Sequence, residues 1–143
     1  MIILDTNVIS EGLRVRPSSI VRSWLDRHEP KDLFLCAPVL AELRYGVERL
    51  PVGRRRAELD RVVSNAEGDL FANRILSFDR ESAHEFGRVV ATRTGLGRPI
   101  SPMDALIAAI AIANGMAIAT RDLSDFADLG IDLVNPFEAV EDC

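Results

Sequence analysis

Histidine, cysteine and lysine are scarce in this chain. Of its 17 basic residues only Lys31 is a lysine, and there are two histidines and two cysteines. Two cysteines are too few for a disulfide framework, which favours a reducing compartment. Cys36 lies in an apolar run and is expected to be a small buried hydrophobic residue. His28 and His84 lie in helical stretches without a second ligand at metal spacing, so we expect ordinary surface or boundary residues there.

Long apolar runs are also missing. No stretch approaches the length needed to span a bilayer, and the N-terminus lacks the basic start, apolar stretch and cleavage site of an export signal. We therefore expect a cytoplasmic protein. The net charge of -5 by itself argues against a nucleic acid as partner. Clustered carboxylates that hold metal ions would also make a chain acidic, so this exclusion is weak.

The remaining composition is that of an ordinary globular protein. With 48% hydrophobic and 27% charged residues over 143 positions, the chain is expected to form a single domain spanning residues 1–143. Short apolar segments alternate with amphipathic stretches. This alternation predicts a three-layer α/β/α sandwich with a mostly parallel central sheet. The predicted strands are residues 2–5, 33–37, 75–78, 117–120 and 131–134, and the predicted helices include 18–28, 39–50, 54–63, 83–90 and 101–114.

Four acidic residues lie at the ends of these elements. Asp5 and Asp122 follow the first and fourth strands, Glu42 lies in the second turn of a helix, and Asp104 lies in a first turn. Ligands gather beyond the carboxyl ends of parallel strands, and right-handed crossovers could bring all four acids to one pocket. Carboxylates so placed repel one another unless a cation lies between them. Oxygen ligands without histidine or cysteine favour Mg²⁺ or Mn²⁺.

Each acid also has a structural interpretation. Ser101 and Asp104 have the spacing of a capping box, with Pro102 at the first helical position. Asp5 could cap the next helix, and Asp122 could cap the turn after it. Glu42 could lie at the solvent edge of an apolar helix. The metal hypothesis rests on the four acids occurring together.

Four segments, in order and across nearly the whole length, resemble those of the PIN-domain ribonucleases: ILDTNVIS, VLAELRYGV, SPMDALIAA and ATRDLSDF. The likeness is greatest to VapC-type toxins of bacterial toxin–antitoxin pairs, and to their FitB-like branch. It implies a metal-dependent endoribonuclease that leaves a 5′-phosphate and a 3′-hydroxyl. It also implies a homodimer and a cognate antitoxin, with a DNA-binding N-terminal part and a C-terminal tail over the acidic pocket.

The resemblance also implies roles for single residues. Asp5 and Asp104 would be the principal ligands of one or two Mg²⁺ or Mn²⁺ ions, and Glu42 and Asp122 would complete the site. Asn7 and Thr120 would orient these acids or the attacking water. Arg121 would either contact a phosphate or pair with a carboxylate. Arg54, Arg55, Arg56 and Arg61 form the most basic segment, and they either contact RNA or form a solvated helix face.

Two other functions remain open at this point. Phosphoryl-transfer proteins with a strand-end aspartate also use Mg²⁺, but they need a basic residue, usually lysine, after a later strand, and Lys31 precedes one. The segment Asp5-Thr6-Asn7 also lacks the second acid of the D-x-D phosphatase motif. The other alternative is a catalytically silent, nuclease-like binding module, in which Asp5 could be replaced by asparagine without loss of function.

Overall fold

Five parallel strands form one sheet in the computed structural model, which describes residues 1–138. The strand order is β3–β2–β1–β4–β5. From the central β1 the chain adds β2 and β3 on one side, and it then crosses over to add β4 and β5 on the other side. Each neighbouring pair is parallel, with Ile2 beside Leu33 on one side and beside Ala117 on the other. The strands are β1 (Ile2–Leu4), β2 (Leu33–Cys36), β3 (Ile75–Leu76), β4 (Ala117–Ala119) and β5 (Leu133–Val134).

Helices connect the strands and flank the sheet. They are α1 (Thr6–Gly12), α2 (Ser19–Asp26), α3 (Ala37–Glu48), α4 (Arg54–Asn65), α5 (Arg80–Gly95) and α6 (Pro102–Asn114). Short 3-10 turns cover Pro30–Asp32 and Leu123–Phe126, and one wider helical turn covers Ala66–Leu70. In the part of the chain that the structure describes, no helix has the length and apolarity needed to cross a membrane.

The core lies between the sheet and its helices. Strand residues Ile3, Leu35 and Ile118 are fully buried, as expected for parallel strands covered on both faces. Helix α6 is apolar on nearly all sides, which is typical of a helix enclosed by protein. It packs against α5, α3 and β4. This packing places its first turn, with Asp104, beside the end of the sheet.

The structure confirms the predicted fold class and corrects several boundaries. The predicted third strand, residues 75–78, forms only Ile75–Leu76, because the chain turns there into α5. Asp79 caps that helix by accepting a hydrogen bond from the Ser82 N–H at 2.9 Å. The predicted fifth strand, residues 131–134, is reduced to Leu133–Val134. Helix α6 ends as predicted, at Gly115, whose left-handed backbone (φ 63°) suits glycine.

The central position of β1 determines which residues meet at the carboxyl edge. The Asp5 N–H donates to the Ala119 carbonyl at 2.9 Å and so continues the β1–β4 pairing by one residue. Asp5 and Thr120 therefore leave the sheet side by side. Strand order changes direction at this point, which is where open α/β sheets form their ligand crevices.

Candidate metal centre

Asp5 lies at the centre of the acidic site. It is the N-cap of α1 and is only 7% exposed. Its Oδ1 accepts from the Thr6 N–H and its Oδ2 accepts from the Thr120 hydroxyl, both at 2.8 Å. Burial raises the pKa of Asp5, and the charges of Asp104 and Glu42 raise it further, while the two hydrogen bonds oppose them. Asp5 therefore caps α1, as its structural interpretation predicted. Its second carboxylate oxygen is bonded to Thr120, which follows the neighbouring strand β4.

Glu42 is tied to the same point by Thr6. The Thr6 hydroxyl donates to Glu42 Oε1 at 2.8 Å, so one threonine contacts two acids through its backbone and its side chain. Helix α3 starts directly after β2, with Pro38 in its first turn, and this brings Glu42 to the sheet edge. Glu42 is partly exposed, and it is near enough to Asp5 for its charge to contribute to the raised pKa of that carboxyl.

Asp122 is held by Asn7. The Asn7 Nδ2 donates to Asp122 Oδ2 at 3.1 Å, and Asn7 Oδ1 accepts from the Arg121 N–H at 3.3 Å. The Asp122 N–H donates in turn to the Thr120 hydroxyl at 3.0 Å. Asp122 precedes the turn Leu123–Phe126, but its side chain makes no capping bond there. The interpretation of this carboxylate as a cap is therefore wrong.

Asp104 lies in the first turn of α6, where Ser101 is the cap. The Ser101 hydroxyl accepts from the Asp104 N–H at 3.2 Å. Within residues 1–138 the reciprocal bond of a capping box, from the Ser101 N–H to the Asp104 carboxylate, is not formed. Burial raises the pKa of Asp104, and the charges of Asp125 and Asp122 add to this. The Ser101 hydroxyl and the charge of Arg93 oppose this rise, so the Asp104 carboxylate lies within electrostatic range of both acids and a buried cation.

The donor set suits a hard divalent cation. All four predicted ligands are carboxylates. The charges of Glu42 and Asp104 repel that of Asp5, and the charge of Asp122 repels that of Asp104. The nearby thiol does not compete, because burial raises the pKa of Cys36 to about 12. In residues 1–138 no three acidic, histidine or cysteine side chains lie close enough together to hold an ion. The chemistry of the site fits Mg²⁺ or Mn²⁺, while binding would require these side chains to move toward one another.

Three further residues at this edge were not predicted as part of the site. Thr6 donates to two acids, and Asp125 contributes to the raised pKa of Asp104. Arg93 on α5 is 5% exposed and donates to the backbone carbonyls of Arg98, Asp125 and Ala127 at 2.8, 2.8 and 3.3 Å. The sequence gives no signal for Arg93, since an arginine in an amphipathic helix normally faces solvent. Asp125 is recognisable only by its distance of three residues from Asp122.

The arginines predicted as possible substrate contacts have different environments. The Arg121 guanidinium stacks on the Phe137 ring, 3.8 Å from its centroid, and makes no ion pair within the described residues. Of the two roles predicted for Arg121, the pairing with a carboxylate is therefore not observed in residues 1–138. On α4, Arg56 contacts Glu48 at 2.7 Å and is partly buried, whereas Arg55 and Arg61 remain exposed.

Comparison with known proteins identifies the family. The sequence profile of the PIN domain matches residues 2–131. The chain is 38% identical over 138 residues to the VapC ribonuclease Y4jK of Sinorhizobium fredii. The aligned residues make up 96% of this chain and 99% of that protein. The chain is also 38% identical over 137 residues to Toxin FitB of Neisseria gonorrhoeae, with the same two coverages of 96% and 99%. A solved structure of FitAB bound to the IR36 DNA fragment matches with a TM-score of 0.91 and 37% identity, over 99% of both chains. The predicted resemblance is thereby confirmed, and the chain belongs to the PIN-domain family.

Proposed function

We propose that residues 1–143 act as one nuclease domain, a Mg²⁺- or Mn²⁺-dependent endoribonuclease that is the toxin of a toxin–antitoxin pair. The observation that carries this proposal is the hydrogen-bond network at the carboxyl edge of the sheet. There Thr6, Thr120 and Asn7 donate hydrogen bonds to three acids, Asp5, Glu42 and Asp122. Membership of the PIN family and the likeness to a VapC ribonuclease supply the substrate class.

In this proposal Asp5 and Asp104 are the principal metal ligands, and Glu42 and Asp122 complete the site. Each oxygen of an ionised carboxylate has two lone pairs, so Asp5 can accept its two protein hydrogen bonds and still bind a cation. A bound divalent cation supplies charge neutralisation at the phosphodiester and makes water more acidic. Asp5 and Asp104, whose pKa is raised first by burial and then by neighbouring acids, would be stabilised in the ionised form by such a cation.

The protein's own groups orient the reactants. The hydroxyl of Thr120 and the N–H of Thr6 fix the Asp5 carboxylate from two sides, so it cannot rotate freely. Glu42 Oε2 and Asp122 Oδ1 accept no protein hydrogen bond in residues 1–138, and either atom can accept a proton from the attacking water. In this proposal Arg121, which stacks on Phe137 and makes no ion pair in residues 1–138, contacts a phosphate of the substrate.

An RNA cleavage assay tests the nuclease proposal. Purified protein should cut RNA with Mn²⁺ or Mg²⁺ and stop when EDTA is added, leaving 5′-phosphate and 3′-hydroxyl ends. Asp5→Asn and Asp104→Asn should each lose most of the cleavage while keeping the fold. Glu81→Gln, an acid on α5 with no contact to this site, is the matched control and should cut like wild type. Equal cleavage by all variants would refute the assignment of these acids, whereas a wild-type protein that does not cut RNA would favour a binding module that lacks catalysis.

The proposed biological setting is the bacterial cytoplasm, where the protein forms a homodimer and a cognate antitoxin blocks the acidic pocket. The likeness to Toxin FitB and to the FitAB structure supports this part of the proposal. Expression of the wild-type chain should arrest growth, and co-expression of the adjacent gene's product should restore it. Asp104→Asn should not arrest growth at the same protein level. Arrest by the variant as well would separate toxicity from the acidic site.

A further inference from the structure

A groove of about 570 Å³ extends from the acidic site along α1, α3 and α4. Thr6 and Glu42, which belong to the acidic site, form part of its lining. Its apolar lining includes Leu13, Leu43 and Leu59. The groove is therefore continuous with the acids and has apolar walls, which can contact the faces of nucleobases.

Arginines surround this groove. Arg14, Arg49, Arg55 and Arg61 all contribute to its lining, against only two acids, Glu42 and Glu58. Arg14 is paired with Glu11 at 3.1 Å. The other three are exposed, and none of them makes an ion pair within residues 1–138. A protein with a net charge of -5 thus concentrates unpaired positive charge along one groove that leads to its acidic site.

The neighbouring arginines show that this arrangement is selective. Arg56 contacts Glu48 at 2.7 Å, and Arg44 contacts Asp60 at 2.9 Å, so each of these two arginines is paired with an acid at the protein surface. Tyr45 also lines the groove and is 68% exposed. An exposed aromatic ring among unpaired arginines is the combination that binds single-stranded nucleic acid, because bases stack on rings while phosphates contact the cations.

We propose that this groove holds the single-stranded segment of RNA adjacent to the cleaved bond. Arg49, Arg55 and Arg61 contact its phosphates, and Tyr45 stacks on a base. The inference rests on the proposed ribonuclease function and assigns the RNA path at that same site. It also divides the basic segment of α4: Arg55 and Arg61 bind substrate, and Arg56 is structural.

The test is the salt dependence of RNA binding. A fluorescein-labelled uridine oligomer of about 12 nucleotides serves as the probe, in EDTA so that no cleavage occurs, with binding followed by fluorescence anisotropy. The slope of log K against log salt falls by about 0.7 for each lost phosphate contact on a single strand. Arg55→Gln/Arg61→Gln should therefore reduce the slope by about 1.4. Tyr45→Leu should weaken binding roughly five-fold or more and leave the slope unchanged.

Arg27→Gln/Arg80→Gln is the matched control, because both arginines are exposed, neither lines the groove, and the net charge changes equally. This control should keep the wild-type slope, and melting temperatures check that every variant is folded. Equal slopes for the groove and control variants would overturn the inference. If the groove variant instead loses only its affinity for the purified antitoxin, the groove is a protein-docking surface and the inference is also wrong.

The two proposals fail in different ways. If the wild-type protein cuts RNA and the groove variant keeps the wild-type salt slope, the proposed RNA path is wrong and the nuclease assignment stands. A wild-type protein that neither binds nor cuts RNA refutes the nuclease assignment, and with it the groove inference.

Discussion

The buried guanidinium of Arg93 should be one of the larger single contributions to stability in this protein. Arg93 lies on α5 and joins the nearby carbonyl of Arg98 to two carbonyls more than 30 residues along the chain, those of Asp125 and Ala127. Its contacts to Asp125 and Ala127 hold the segment that follows Asp122 against α5. Replacement by methionine keeps an apolar stem of similar length and removes every donor.

The expected cost follows from the geometry. Two of the bonds are 2.8 Å and one is 3.3 Å, so two are at the optimum length and one is weaker. Hydrogen bonds from a charged donor contribute about 1.5–3 kcal/mol each, which gives about 3–6 kcal/mol for the two short ones. Removal of a buried charge recovers part of its desolvation cost. We therefore expect Arg93→Met to lower the free energy of unfolding by about 3 kcal/mol, and the melting temperature by about 10 °C.

Urea unfolding followed by the fluorescence of Trp24, the only tryptophan, measures this effect. Arg88→Met is the control on the same helix, because Arg88 is exposed and its one ion pair within residues 1–138 is with Glu85. A surface pair of this kind contributes at most about 1 kcal/mol. Arg93→Lys should recover only part of the loss, since an ammonium group lacks the planar fork of a guanidinium. A difference between Arg93→Met and the control of less than about 0.5 kcal/mol would refute the argument.

Three further predictions separate the roles of Asp104 and Ser101. Mn²⁺ should raise the melting temperature of wild type by mass action and should not raise that of Asp104→Asn; equal responses would exclude Asp104 as a ligand. In EDTA, the raised pKa of Asp104 means that the folded state binds its proton more tightly than the unfolded state. Wild type should therefore lose stability relative to Asp104→Asn as the pH rises through the folded pKa of Asp104, and urea titrations that show a constant difference would contradict this. Ser101→Ala should lower the free energy of unfolding by about 1 kcal/mol through loss of the α6 cap, yet keep the wild-type response to Mn²⁺ in a thermal melt.

The acids could be recognised from the sequence because they follow short apolar segments. A buried parallel strand has a plain signature, and the position of Asp5 and Asp122 after two of them places both at the same edge of the sheet. Pro38 in the first turn of α3 and Pro102 at the start of α6 mark the two helix starts equally plainly, and these starts place Glu42 and Asp104 within two turns of that edge. The three inner strands were each predicted one residue too long, at 2–5, 33–37 and 117–120. The two edge strands, 75–78 and 131–134, were each predicted two residues too long, because an edge strand has fewer neighbours to extend the pairing.

The sequence by itself determined the fold class, the family likeness and the acids, because periodicity and residue type record how each segment is buried. The family resemblance implied that Asn7 and Thr120 orient those acids, and only the tertiary structure showed their contacts and added Thr6. Asp5 and Thr120 are 115 positions apart and meet because β1 pairs with β4. Arg93 becomes a buried donor, and Arg55 and Arg61 become groove residues, through packing between helices. Such contacts depend on strand order and helix packing, which local patterns do not encode.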